Sequence, residues 1–167
     1  MNSAFGIALI EETKRRLFEE SFPRLRTCLG LIGPEDVWHR VNGECNSVGN
    51  LMLHICGNAR QWIGSGLGGA NDNRNRASEF AASGPMPASE LLAHLDETET
   101  FLRETLERID PDTLLQKRRV QIYDESGLSI LVHVIEHVSY HTGQITHMVK
   151  AMKAVDTGYY AGQKLNQ

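Results

Sequence analysis

Cysteine is scarce in this chain of 167 residues: only Cys28, Cys45 and Cys56 are present, and no two stand at a CxxC spacing. That argues against a disulfide framework and against a thiolate zinc site. Positive charge is short as well, with 17 Lys and Arg against 21 Asp and Glu and a net charge of −4. A domain that displaces counterions from a duplex carries a positive excess, so nucleic acid is not the expected ligand. Long apolar runs are missing, and none approaches the roughly 18 residues needed to span a bilayer. The first ten residues have no basic residue ahead of their apolar stretch and lead straight into Glu11 and Glu12, unlike a signal peptide. A reduced, cytoplasmic protein with no membrane and no nucleic-acid partner is the expectation. What the chain does have is 41% apolar residues, ordinary for one core-bearing domain over 1–167. It also has seven histidines, of which His133, His137 and His141 fall within nine residues.

Four segments carry helical periodicity. The first runs from about Ala4 to Leu29, with Pro23 as a kink or boundary and Gly30, Gly33 and Pro34 as its end. The second opens on Asn46 or Ser47, either a good cap, and runs to about Ile63. Residues 64–87 hold five glycines, three asparagines and two prolines and read as a long loop. The third helix begins near Pro87 and stops at Asp110–Pro111; the stretch Lys117 to Tyr123 has extended character. Ser126 caps the fourth helix, which reaches about Met152, and a polar tail follows from about 153. Four amphipathic helices with little strand signal predict an all-α four-helix bundle, with the long loop available as a crossover.

On the fourth helix, Ile130, Val134, Val138, Ile145, Met148 and Met152 define an apolar stripe. At 100° per residue His141 lies about 15° from the centre of that stripe, His137 about 55° and His133 about 95°. His137 and His141, one turn apart, therefore project inward and suit two imidazoles converging on one ion. His54, between Leu51 and Ile55, is the third candidate. Burying imidazoles among aliphatic side chains is costly unless they are hydrogen-bonded or coordinated. Three neutral imidazoles on a divalent cation leave open positions, the pattern of a catalytic site rather than a sealed one. The same residues could instead form a hydrogen-bonded cluster with Ser139, Thr142 or Gln144.

Asn46 to Trp62 (NSVGNLMLHICGNARQW) and His133 to Ile145 (HVIEHVSYHTGQI) resemble the DinB/YfiT-like superfamily of metalloenzymes. The resemblance implies a four-helix bundle in which one His from the second helix and an HxxxH pair from the last, followed by GQ, bind a divalent metal, nickel or zinc. His54, His137 and His141 match, and Gly143–Gln144 stand in place; Gly57–Asn58 fits one branch. It further implies a thiol-dependent transferase or a metal-assisted hydrolase, a low-molecular-weight thiol as a possible cofactor, a small-molecule substrate and a homodimer. The alternative is a non-catalytic metal- or ligand-binding bundle.

His133–Val–Ile–Glu136–His137 is also a literal HxxEH peptidase pattern. It lacks a downstream Glu ligand, and Glu136 lies about 155° from the apolar stripe. His133 stands at the edge of the site as an outer partner or a surface residue. Gln144 and Tyr140 are candidates to orient substrate, and Asn50 and Asn58, four residues either side of His54, are candidates to bond a metal-bound water.

Overall fold

Residues 2–165 are described by a computed structural model. Among the described residues there are six helices, one small hairpin and a short 3-10 turn at Pro111–Thr113. Helix α1 covers residues 2–31 without a break: its middle, Arg15–Ser21, winds in wider π-type turns, and the Phe22 N–H donates to the Leu17 carbonyl five residues back. The wider turns absorb Pro23, whose ring would otherwise crowd the carbonyl four positions earlier. The helix therefore continues through the proline. Helix α2 is the single turn Pro34–Val37.

Helix α3 spans residues 48–67, as Val48–Ala59 followed by π-type turns over Arg60–Leu67. Ser47 starts it. Its hydroxyl accepts the Asn50 N–H at 3.1 Å, while Asn50 Oδ1 accepts the Ser47 N–H at 3.1 Å, a reciprocal pair that satisfies two orphan donors. The chain then carries α4 (Arg76–Ala81) and α5 (Ala88–Arg108). Strands β1 (Lys117–Val120) and β2 (Tyr123–Ser126) pair antiparallel, Lys117 opposite Ser126 and Val120 opposite Tyr123. Helix α6, Gly127–Lys153, is capped by Ser126, whose Oγ accepts the Ser129 N–H at 3.1 Å.

The loop expected over residues 64–87 is a correction. Gly64 and Gly66 do not stop α3, because they serve close packing: a Cβ at Gly64 would collide with the Phe101 ring. Inside the remaining loop Asn75 caps α4 by accepting the Ser78 N–H at 3.2 Å, and Phe80 and buried Glu79 fold back on α3.

The core is apolar and contiguous. Leu17, Phe22 and Leu25 of α1, Ile55 and Ile63 of α3, Leu95 and Leu102 of α5, and Ile130, Val134 and Val138 of α6 are fully buried. Helix α6 packs on α1 and α3, and α5 packs on α3 and α1. Beyond α6, Ala154 takes a left-handed φ of 52° and turns the chain back. Tyr159 then packs at α1, its hydroxyl 3.0 Å from Cys28 Sγ and 2.9 Å from Thr146 Oγ1. Among the described residues no helix is long and apolar enough to cross a membrane.

Candidate metal centre

Helical periodicity builds this site from two facing ladders. On α3, residues 50, 54, 58 and 62 recur every four positions; on α6, residues 133, 137 and 141 do the same. Such spacing places side chains above one another on one helix face. The two ladders meet in opposite directions. Trp62 stacks on His133 with ring centroids 3.7 Å apart and planes 24° from parallel. Asn58 Nδ2 lies 3.3 Å from His133 Nε2. One turn further, His54 Nε2 and His137 Nε2 are 3.0 Å apart, and the His54 and His141 rings sit edge to face at 5.1 Å.

The structure thus brings together His54, His137 and His141, each offering one nitrogen, with all three nitrogens within 4.8 Å of one another. Zinc–imidazole bonds are about 2.0–2.1 Å, and two such bonds at the tetrahedral angle separate their nitrogens by about 3.3–3.4 Å. The His54 and His137 nitrogens, 3.0 Å apart, stand a little closer than that. His54 is buried and the other two rings are half-buried.

The far nitrogens supply an independent test of whether the cluster suits an ion. A ligating imidazole gives its other N–H to an acceptor, which fixes ring and tautomer. His54 Nδ1 is 2.8 Å from Glu79 Oε2, and His141 Nδ1 is 2.6 Å from Gln144 Oε1. Both rings then present Nε2. His137 Nδ1 is buried with no partner among the described residues.

Electrostatics agree with neutral ligands. Burial pushes His137 down to about 3, helped by the neighbouring His141 and His54. Burial also lowers His141, against the hydrogen bond to Gln144, and lowers His133. Imidazoles must be unprotonated to bind a metal. Burial alone would raise the Glu79 carboxyl, but hydrogen bonds from Arg74 and His54 outweigh it and hold the group below its ordinary value.

The other sequence candidates fall in different places. Gln144 stands behind His141, with its amide 3.5 Å from the Tyr140 hydroxyl; Tyr140 is largely exposed and edge-on to the His141 ring. Asn58 bonds His133, and its Oδ1 is buried without a partner among the described residues. Asn50 points elsewhere. Its oxygen accepts from Ser47 and Arg40, and its amide donates to the carbonyls of Glu79 and Ala82, so it joins α3 to the end of α4. Glu136 is exposed.

Two residues in the site are absent from the sequence reading. Glu79 and Arg74 lie in the polar stretch before α5, yet their side chains are only 9% and 5% exposed. The available signal was a lone acid beside Phe80, the one large apolar residue between Leu67 and Met86, after the capping residue Asn75. Room for the carboxylate comes from Gly57, where a Cβ would collide with Glu79 Oε1. Gly57→Ala should therefore lose about 1–3 kcal/mol by overpacking, although alanine is intrinsically better than glycine in a helix by about 1 kcal/mol. Chemical denaturation measures this, and a stabilised variant would contradict the packing.

A cleft of about 390 Å³ opens beside the cluster. His54 and His137 form one wall, Trp62 and His133 another, and Tyr123 of the hairpin and Arg76 stand at its edge. A volume of this order suits a small molecule.

A family model described as "Protein of unknown function (DUF1572)" matches residues 12–159, and the chain belongs to this family. No curated protein matches it.

Proposed function

We propose that this DUF1572 protein is a four-helix bundle of the DinB/YfiT type and a metal-dependent enzyme. One divalent ion is held by His54, His137 and His141. The observation that carries the proposal is the convergence of three imidazole nitrogens within 4.8 Å, with His54 and His137 on the wall of an open cleft. A sealed structural site would be completed by a fourth protein ligand and closed to solvent. Among the described residues no fourth His, Cys, Asp or Glu joins the group, and His141 is only half-buried.

Imidazole donors suit zinc and nickel. A divalent ion bound there supplies Lewis acidity, polarising a substrate oxygen or lowering the pKa of a bound water or thiol. The chain's own residues do the rest. Glu79 and Gln144 orient two of the rings, the Trp62–His133 stack forms one wall of the cleft, and Arg76 at the edge favours an anionic group on the substrate. Thiol transfer, with a low-molecular-weight thiol as cosubstrate, and metal-assisted hydrolysis are both served by this arrangement. A cytoplasmic homodimer completes the proposal.

Metal analysis by plasma mass spectrometry on untagged protein, purified without nickel resin, tests the reading. About one equivalent of zinc or nickel per chain is expected. No uptake of zinc, nickel or manganese, even after refilling, would sink it and leave the three histidines as a buried polar cluster.

A further inference from the structure

We propose that Glu79 is a positioning residue that makes His54 a metal donor, by fixing which ring nitrogen carries the proton. The inference rests on the metal-binding reading above and names how that site is prepared. An ionised carboxylate only accepts hydrogen bonds. His54 Nδ1, 2.8 Å from Glu79 Oε2, must therefore carry the ring proton. Nε2 is left with its lone pair, and Nε2 is the atom facing His137 at 3.0 Å.

A second group in reach would have the opposite effect. Arg74 Nη2 approaches the same Nδ1 to 3.1 Å. A guanidinium only donates, so a His54 ring accepting from Arg74 would hold its proton on Nε2 and offer nothing to an ion. Glu79 prevents this by taking the Arg74 donors itself. Arg74 Nε donates to Oε1 at 2.6 Å and Nη2 to Oε2 at 2.8 Å, while Nη1 is bound to Gln61 Oε1 at 2.8 Å. One carboxylate thus selects the productive tautomer and removes the competitor.

Burial leaves water little chance to substitute: the His54, Glu79 and Arg74 side chains are 7%, 9% and 5% exposed. This also explains why a glycine- and asparagine-rich stretch folds into α4. Asn50 grips the carbonyls of Glu79 and Ala82, Phe80 lies against the His54 ring at 4.7 Å, and Gly57 leaves space for the carboxylate. The segment is a clip on the back of His54.

The test uses full-length protein with ¹⁵N-labelled histidine, zinc as the probe metal, and the variants Glu79→Gln and Arg74→Lys. Long-range ¹H–¹⁵N correlations read the tautomer of each ring. In metal-free wild type His54 is expected as the Nδ1–H form. Glu79→Gln supplies one oxygen where three donors compete, so His54 should shift toward Nε2–H and zinc affinity should fall about 10–100-fold. Arg74→Lys weakens the same buried clamp but keeps the acceptor, so His54 should stay Nδ1–H and lose less affinity. A purely structural role for Glu79 would give equal losses in both variants and overturn the proposal. An Nε2–H His54 in wild type, or wild-type zinc affinity in Glu79→Gln, would overturn it as well. Should Glu79→Gln fail to fold, the wild-type tautomer and the Arg74→Lys comparison decide. Wild type that takes up no zinc overturns the metal reading itself. Normal uptake with an unaffected Glu79→Gln overturns only the role of Glu79.

Discussion

Alanine at His137 is expected to remove stoichiometric metal and leave the fold standing. His137 is central to the cluster, its ring centroid 4.8 Å from that of His54 and 4.5 Å from that of His141. Losing a partner behind a metal ligand costs about 10–100-fold in affinity, so losing the ligand itself should cost at least ~100-fold. Linkage turns this into a stability readout. A metal held at a thousand times its Kd stabilises a fold by about 4 kcal/mol, and a hundredfold weaker site at the same metal concentration gains only ~1.4 kcal/mol. The apoproteins should differ much less. Truncating His137 leaves a small void, but it also removes a buried Nδ1 that has no partner among the described residues, and the two effects oppose each other. The decisive comparison is the shift in melting temperature on adding zinc. It should be large in wild type and no more than about a third as large in His137→Ala. Equal shifts in the two proteins would place the metal elsewhere.

Glu136→Ala is the matching control. The HxxEH reading makes that glutamate a base for chemistry, yet it is exposed on the outer face of α6. Its loss should leave metal content and the zinc-induced shift unchanged.

Period explains both what the sequence disclosed and what it hid. The inward position of His137 and His141 follows from 100° per residue and from the apolar residues flanking them, and helix caps at Ser47 and Ser126 depend on local chemistry alone. His54 was legible for the same reason. Its partners were not. Glu79 and Arg74 are charged residues in a stretch without apolar periodicity, and charged residues are almost never buried unless paired. Here the pairing is made by tertiary contact with α3, which no window along the chain can register. The extension of α3 through Gly64 was hidden in the same way, since the glycine answers to Phe101 on α5. His133 lay at the edge of the stripe on the wheel, and only the stack with Trp62 settles its place beside the cleft. Asn50 shows the converse. Its spacing from His54 was correct, but the first turn of a helix needs acceptors for its N–H groups, and capping took the side chain.

Acid should weaken the apoprotein from about pH 6.5 downward, before ordinary carboxylates begin to titrate. His133, His137 and His141 are all held below the ordinary imidazole value by burial, His137 at about 3. The unfolded chain binds a proton on each near pH 6.5 while the folded chain resists, so stability depends on pH wherever the two differ. The sign follows from the lowered folded values. Their contribution is fully present above pH 6.5 and declines as pH falls toward about 3, where His137 finally accepts a proton in the folded state. Each histidine can add a slope of at most about 1.4 kcal/mol per pH unit, less for the half-exposed rings that water partly screens. Glu79, also lowered, adds a loss of the same sign in the more acidic range below the ordinary carboxylate value. Urea denaturation of metal-free protein at pH 7.5, 6.5, 5.5 and 4.5 measures the slope directly. His137→Ala should reduce it by up to one proton's worth between pH 6 and 4, and wild type with the same profile as the variant would show that the buried ring titrates normally. With zinc bound the loss should begin at lower pH and end more steeply. The ion must then be displaced by protons at several nitrogens together, which ties the acid limit of the fold to the occupancy of its three-histidine cluster.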